Sequence, residues 1–510
     1  MSLRSPRLSR SALLIFLAIG AYCFFGPGWP FSEEERHFPL VFSDEELRSL
    51  AQDLRVTDVP SFDSRERRVA ALGRQLFHDA RFSSSGEIAC TSCHQPGRDF
   101  SDGRPLAIGL GPLQRHTPSL VNSYALTWFF WDGRADSLSA QVQGPVEASD
   151  EHGFDRGRVA QMLFRHYKAP YEDLFGPFPA VLSAELARAE PFKARPRPSP
   201  LELPLSVAHY ALATIRDDSL QISWIQAGAN AKLAPQRHLA QAYWPTLPES
   251  EETRAFAALS SEQRQALNQI FARFSWALAQ YERGLVARQS PFDRFAARLE
   301  ALPEEEAPAS AFEDKFKDAE WRGFRLFMES GCASCHSGPH FSDQEFHNIG
   351  LAQRGPKLDL GRAAGVLQVK ADQLNCIGLS GFLDPLAFKD NKSDSCASLP
   401  FLRLETQELV GAFKTPMLRN VGQTAPYMHD GRFASLKEVL KFYNELDEEA
   451  AVGHREETLK PLRLGEAQLL DLEAFLQSLS SPIEDLSASQ PEQKARLEMT
   501  PKPGLVLRGR

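Results

Sequence analysis

Residues 73–94 read "GRQLFHDARFSSSGEIACTSCH" and residues 323–336 read "GFRLFMESGCASCH". In each, a Gly-x-x-Leu-Phe run leads into Cys-x-x-Cys-His, and the two motifs take four of the seven cysteines in 510 residues. Two thiols about one helical turn apart, followed at once by an imidazole, form the device that attaches a haem. Both cysteines make thioethers with the vinyl groups and the histidine reaches the iron. A structural zinc would ask for four ligands from paired knuckles, and a thioredoxin-type redox pair has no need of the adjacent histidine. The motifs predict two covalently bound haem c groups, one on Cys90, Cys93 and His94, the other on Cys332, Cys335 and His336.

Working outward, "TPSLVNSYALTWFFWDGRADSL" from Thr117 aligns without a gap to "TPMLRNVGQTAPYMHDGRFASL" from Thr415. Thr-Pro, Asn122 with Asn420, Asp-Gly-Arg and the following Ser-Leu all match at one offset, as expected of an internal repeat. The predicted fold is mainly α, with two cytochrome c-type haem domains related by internal duplication. Between His336 and Thr415 lie 78 positions against 22 between His94 and Thr117, so the second unit holds 56 more. That insertion carries Cys376 and Cys396, which belong to no motif and read as a disulfide closing a surface loop, with free thiols the alternative.

Helical periodicity is clearest where Leu267, Phe271, Phe274, Leu278, Tyr281 and Leu285 recur at steps of four and three behind a Ser260/Gln263 capping box. "SDEELRSLAQDL", the run before Cys90 and "EAQLLDLEAFLQSL" are further helix candidates. Strand signals are few. Residues 38–300 are read as the first haem unit, with a proline-rich connection near 191–204. Residues 310–480 form the second, with its inserted loop at 337–414, and 481–510 a loose tail.

The amino terminus sets Arg4, Arg7 and Arg10 ahead of "ALLIFLAIGAYCFF" from Ala12, and then "GPGWP". This is the layout of an export signal over residues 1–31, cleaved or retained as a membrane anchor. It predicts a periplasmic protein in an oxidising compartment. A formal charge of −9 with a pI near 5.9 gives no basic face for nucleic acid. It suits docking of a basic partner.

From about Leu72 to Asn444 the chain resembles the bacterial di-haem cytochrome c peroxidase family, including its MauG-like branch. The two Cys-x-x-Cys-His motifs, "TPSLVN", "FFWDGRADSLSAQVQGPVE", "GAFKTPMLRN" and "TAPYMHDGRFASLKEVLKFYN" carry the likeness. The resemblance implies that hydrogen peroxide reacts at the haem on His94 and that the second haem stores or relays electrons. It implies that Trp131 couples the two haems, that Gln141 and Glu151 assist O–O cleavage with Glu151 as the acid–base, and that Pro145 lines the pocket. Glu147 and His152 are neighbours able to compete for or share the proton work.

Two departures from the standard peroxidase pattern follow. Many members close the peroxide haem with a histidine from the loop after Cys-x-x-Cys-His; here the span from His94 to Trp131 offers only His116, directly before Thr117. Fourteen residues after His429, where peroxidases have a methionine ligand and MauG a tyrosine, stands Tyr443. A core tyrosine, with Met428 or Met417 as ligand, is the alternative. The family's calcium would draw on main-chain oxygens of Thr424 and Pro426, although His116 stands where an asparagine is usual. The expected activity is oxidation by hydrogen peroxide of a small cytochrome c, a cupredoxin or a protein side chain. The rival is a plain di-haem electron carrier.

Overall fold

The computed structural model describes residues 41–189, 209–216, 219–226, 258–303, 306–313, 316–352, 359–365, 407–450 and 452–488. The export segment, the Cys376/Cys396 pair and the tail beyond 488 lie outside these residues, as does the connection at 191–204. No helix among the described residues is long and apolar enough to cross a membrane.

The architecture is mainly helical. In chain order the helices are α1 Asp44–Asp53, α2 Ser64–Phe77, α3 Cys90–Cys93, α4 Leu138–Glu147, α5 Arg156–His166, α6 Lys168–Phe175 and α7 Ala180–Arg188. They continue with α8 Ser261–Arg283, α9 Pro291–Ala301, α10 Asp318–Glu329, α11 Leu436–Glu445 and α12 Glu466–Ser478. Among the described residues the strands form antiparallel pairs: His209–Arg216 with Ser219–Gln226, Leu285–Val286 with Glu484–Asp485, and Phe346–His347 with Phe413–Lys414.

Local chemistry sets the helix ends. Asp63 and Glu66 form a reciprocal capping box on α2, and Ser260 and Gln263 do the same on α8, satisfying orphan N–H groups of the first turn. The apolar stripe of α2 (Val69, Leu72, Leu76, Phe77) packs on that of α8 (Ile270, Phe274, Leu278) in the first core. In the second, Phe324 and Phe327 of α10 pack on Phe475 of α12. Phe292 is fully buried among Phe316, Phe324, Phe341 and Phe475, worth about 1.5–3 kcal/mol by transfer.

Both helix pairs close on a glycine. A Cβ on Gly73 of α2 would sit 1.8 Å from the Ala277 carbonyl oxygen, and one on Gly323 of α10 would sit 1.9 Å from that of Asp471. The Gly-x-x-Leu-Phe runs therefore mark where two backbones touch. Gly73→Ala and Gly323→Ala should each cost about 1–3 kcal/mol, because backbone cannot yield as a side-chain tip can. Thermal denaturation of the holoprotein checks this, and unchanged melting temperatures would deny the close contact.

The second repeated block has its counterpart in geometry. Asn122 and Asn420 both adopt φ 60. Asn122 trades two side-chain hydrogen bonds with the Ala287 backbone at 2.9 Å, just past α8. Asn420 does so with Ser481, at 2.8 and 3.0 Å, just past α12. An asparagine tolerates this left-handed backbone and ties each haem loop to the end of its unit's long helix.

Packing divides the chain differently from the boundaries read in the sequence. Leu47, Leu50 and Leu54 in and after α1 and Phe292, Phe295 and Leu299 of α9 join the second core, not the first. An amphipathic pattern states that one face is buried, not against which core.

Candidate active site

Both cysteine motifs are preorganised for haem. Cys90–Cys93 form one helical turn, and the His94 Nδ1 lies 3.0 Å from the Phe100 carbonyl oxygen. Cys332 to Ser334 make a tighter 3-10 turn, and His336 Nδ1 lies 2.9 Å from the Phe341 carbonyl oxygen. Each contact assigns the proton to Nδ1 and leaves Nε2 as the free ligand nitrogen. Burial lowers both histidine pKa values, keeping the imidazoles neutral. This donor set fits two haem c groups.

Beside the first motif, α4 carries Gln141 and Pro145. Pro145 has no N–H for the Gln141 carbonyl, and the helix ends soon after. The chain then folds back: His152 N–H donates to the Pro145 carbonyl at 3.1 Å and Phe154 N–H to that of Val146 at 2.8 Å. This reversal presents Glu151 to the loop of residues 107–113, where Leu110 N–H donates to the Glu151 carbonyl at 3.1 Å. Gly109 permits that approach, since a Cβ there would lie 2.7 Å from Glu151 Cα. The Ile108 carbonyl oxygen is in turn 4.0 Å from Cys93 Sγ. The loop was missed in the sequence reading; its paired glycines before Pro112 were the available signal.

Electrostatics separate the carboxylates. Burial pushes the Glu151 carboxyl up, Arg134 opposes this and Asp150 adds to it, leaving its pKa at about 7. Such a group exchanges protons at neutral pH. Glu147 is exposed and forms an ion pair with Arg156 at 2.7 Å. His152 is buried, its Nδ1 2.9 Å from the Phe82 carbonyl oxygen. Glu282 on α8, also unremarked in the sequence, is buried and pushed up to about 8 by that burial, and it acts electrostatically on Cys90.

Trp131 joins the two units. Its Nε1–H donates to the His116 carbonyl at 2.9 Å, and its own carbonyl accepts from Lys414 N–H at 2.8 Å. Around it Arg115 reaches Asp132 at 2.6 Å and grips Asp359 with two bonds of 2.8 Å. Burial alone would raise the Asp132 pKa, but Arg115 and Arg134 outweigh it and hold it at about 2.

His116 is buried and fastened, with Nδ1 2.7 Å from the Arg104 carbonyl oxygen and Nε2 3.4 Å from Ser101 Oγ. Its main-chain N–H donates to the His429 carbonyl at 2.7 Å. The ring also lies within hydrogen-bonding reach of the Thr424 backbone. His116 brings a nitrogen, not an oxygen, to this part of the chain, and nitrogen is a poor calcium ligand.

Tyr443 on α11 packs with Phe442, Met428 and Phe433. Its hydroxyl is raised in pKa by burial and by the nearby thiols of Cys332 and Cys335. Tyr443 therefore lies within electrostatic range of the second haem motif. Cys335, Asp343 and His347 also approach within 4.8 Å, a spacing suited to a metal ion. Cys335 is claimed by the haem thioether, and His347 is bound to Asp343 at 2.9 Å and to Glu456 at 3.0 Å.

A family model described as di-haem cytochrome c peroxidase matches residues 67–193. Methylamine utilization protein MauG of Methylorubrum extorquens is 30% identical over 414 residues, 81% of this chain and 78% of that protein. Cytochrome c551 peroxidase of Pseudomonas aeruginosa is 24% identical over 440 residues, 85% and 84% of the two chains. Among solved structures, a MauG-like protein associated with microbial copper homeostasis covers 91% of this chain and 98% of its own, at 21% identity and a TM-score of 0.47.

Proposed function

The chain belongs to the di-haem cytochrome c peroxidase family, and from that premise we propose that it is an exported, periplasmic peroxidase that reacts with hydrogen peroxide while fully oxidised. The observation that carries this reading is the anchoring of His116. It is the only histidine between His94 and Trp131, and its buried ring is held at Nδ1 by the Arg104 carbonyl with Nε2 turned toward Ser101. No imidazole of that loop is then at hand to close the iron opposite His94.

Cys90, Cys93 and His94 would hold the first haem, which when bound would supply an iron for the binding and reduction of peroxide. Glu151 takes the proton from the bound peroxide oxygen and returns it to the oxygen that leaves as water. Gln141 orients the peroxide by hydrogen bonding, and Pro145 keeps that wall apolar. Trp131, braced by a bond in each unit, would pass oxidising equivalents toward the second haem, which Cys332, Cys335, His336 and Tyr443 would hold. The donor is a small cytochrome c, a cupredoxin or an oxidisable side chain of a partner protein.

Mixing the fully oxidised holoprotein with one equivalent of hydrogen peroxide in a stopped-flow spectrometer tests this. A rapid change in the haem bands without prior reduction is expected. A response only after one electron has been supplied would mean a hidden gating ligand, and no response in either state would leave a plain electron carrier.

A further inference from the structure

Tyr124 and His340 meet where the haem loop of the first unit touches that of the second. The Tyr124 hydroxyl donates to the Asp58 carbonyl oxygen at 3.0 Å and lies 3.4 Å from His340 Nε2. The two rings meet edge to face, with centroids 5.5 Å apart at 85°. Gln344 fastens the loops together by donating from Nε2 to the Ala125 carbonyl at 2.8 Å. His340 directly precedes Phe341, the residue whose carbonyl holds the iron ligand His336. Tyr124 is thus a short covalent and hydrogen-bonded path from the second haem's histidine. Both rings are half-buried, and the path reaches the surface at the exposed Asp58.

His340 is fitted to act as a base. Burial, reinforced by the buried guanidinium of Arg419, pushes its pKa down to about 4, so the ring is neutral at rest. Its Nδ1 is buried and has no hydrogen-bond partner among the described residues, so no contact there fixes the tautomer and Nε2 is able to be the unprotonated nitrogen. A phenol that has lost an electron is a far stronger acid than the resting phenol, so even this weak base suffices for its proton. The resting Tyr124 hydroxyl, pushed up to about 12 chiefly by burial and next by Asp58, keeps its proton until oxidation. Arg419 is fixed by Asp293 at 2.8 Å and by the Pro339 carbonyl at 2.8 Å, so its charge stays beside the pair.

We propose that Tyr124, paired with His340 across the boundary of the two units, is a redox-active exit site through which oxidising equivalents leave for a one-electron donor at the surface. Tyr124 gives one electron toward the second haem; its hydroxyl turns from the Asp58 carbonyl to His340 and passes its proton to Nε2, leaving a neutral phenoxyl radical. The donor then returns one electron, and the proton moves back from His340. Peroxide, reduced at the first haem, is the oxidant throughout, so the inference rests on the peroxide-reactive reading above.

The test freezes the fully oxidised holoprotein after mixing with one equivalent of hydrogen peroxide and records haem bands and electron paramagnetic resonance on the same samples. A narrow organic radical signal that changes on ring deuteration of tyrosine is expected, absent in Tyr124→Phe and weakened at least about tenfold in His340→Leu. Since the chain has nine tyrosines, the variant and not the label assigns the site. A band change with no tyrosine radical, or with one that survives in Tyr124→Phe, overturns the exit site alone. Haem bands that do not respond to peroxide would overturn the peroxide reading and this inference with it. A signal of full strength in His340→Leu would remove His340 as the proton acceptor.

Discussion

Glu151→Gln should slow the peroxide-induced change in the haem bands of the fully oxidised protein by about 10²–10⁴-fold. Glutamine keeps the shape and the hydrogen-bonding reach of the side chain but cannot take a proton and give it back. The reaction needs the ionised carboxylate, and burial places that group at about 7, with Arg134 restraining a larger rise. The sign follows directly: lowering the pH removes the base. In the wild type the rate should fall by roughly tenfold for each pH unit below 7 and level off above it, whereas the Gln variant should be slow and flat. Glu147→Gln is the control, because its ion pair with Arg156 is at the surface; its rate should stay within about twofold. Wild-type speed in Glu151→Gln would move the proton work to another group, with His152 first in line.

What could be read in the sequence is what the chain states locally. Cys-x-x-Cys-His is a contiguous device, so the roles of Cys90, Cys93 and His94 need no fold to be legible. The repeated Asn122 and Asn420 announced themselves through a fixed offset, and the capping box at Ser260 and Gln263 through spacing. Contacts between distant segments leave no such trace. Tyr124 and His340 are 216 positions apart, and nothing periodic in either segment points to the other. The loop at 107–113 touches Glu151 through main-chain groups, which any side chains would have offered, apart from the glycine that lets the backbones close. His116 was legible as an oddity of composition, but its fastening to Arg104 and Ser101 was not. That fastening is what turns a missing histidine into an argument about the iron.

Tyr443→Met should raise the second haem's reduction potential by on the order of a few hundred mV, since axial-ligand identity sets haem potentials over ~0.8 V. A phenolate oxygen is a hard, anionic donor that favours ferric and higher states, and a thioether is soft and favours ferrous iron. The site makes the choice sharp. Tyr443 packs in one cluster with Phe442, Phe433 and Met428, and burial holds its free hydroxyl neutral, so only the charge of a bound metal ion would bring it to the phenolate. With methionine in its place the second haem would be reduced by mild donors, and the fully oxidised protein would lose its store for the second oxidising equivalent. Redox titration and ligand-field spectroscopy of the two variants, Tyr443→Met and Tyr443→Phe, separate the cases. A shifted potential and an altered spectrum in both assign the ligand to Tyr443. Unchanged values in both pass the role to Met428 in the same cluster, and then Met428→Leu, not Tyr443→Phe, must move the spectrum.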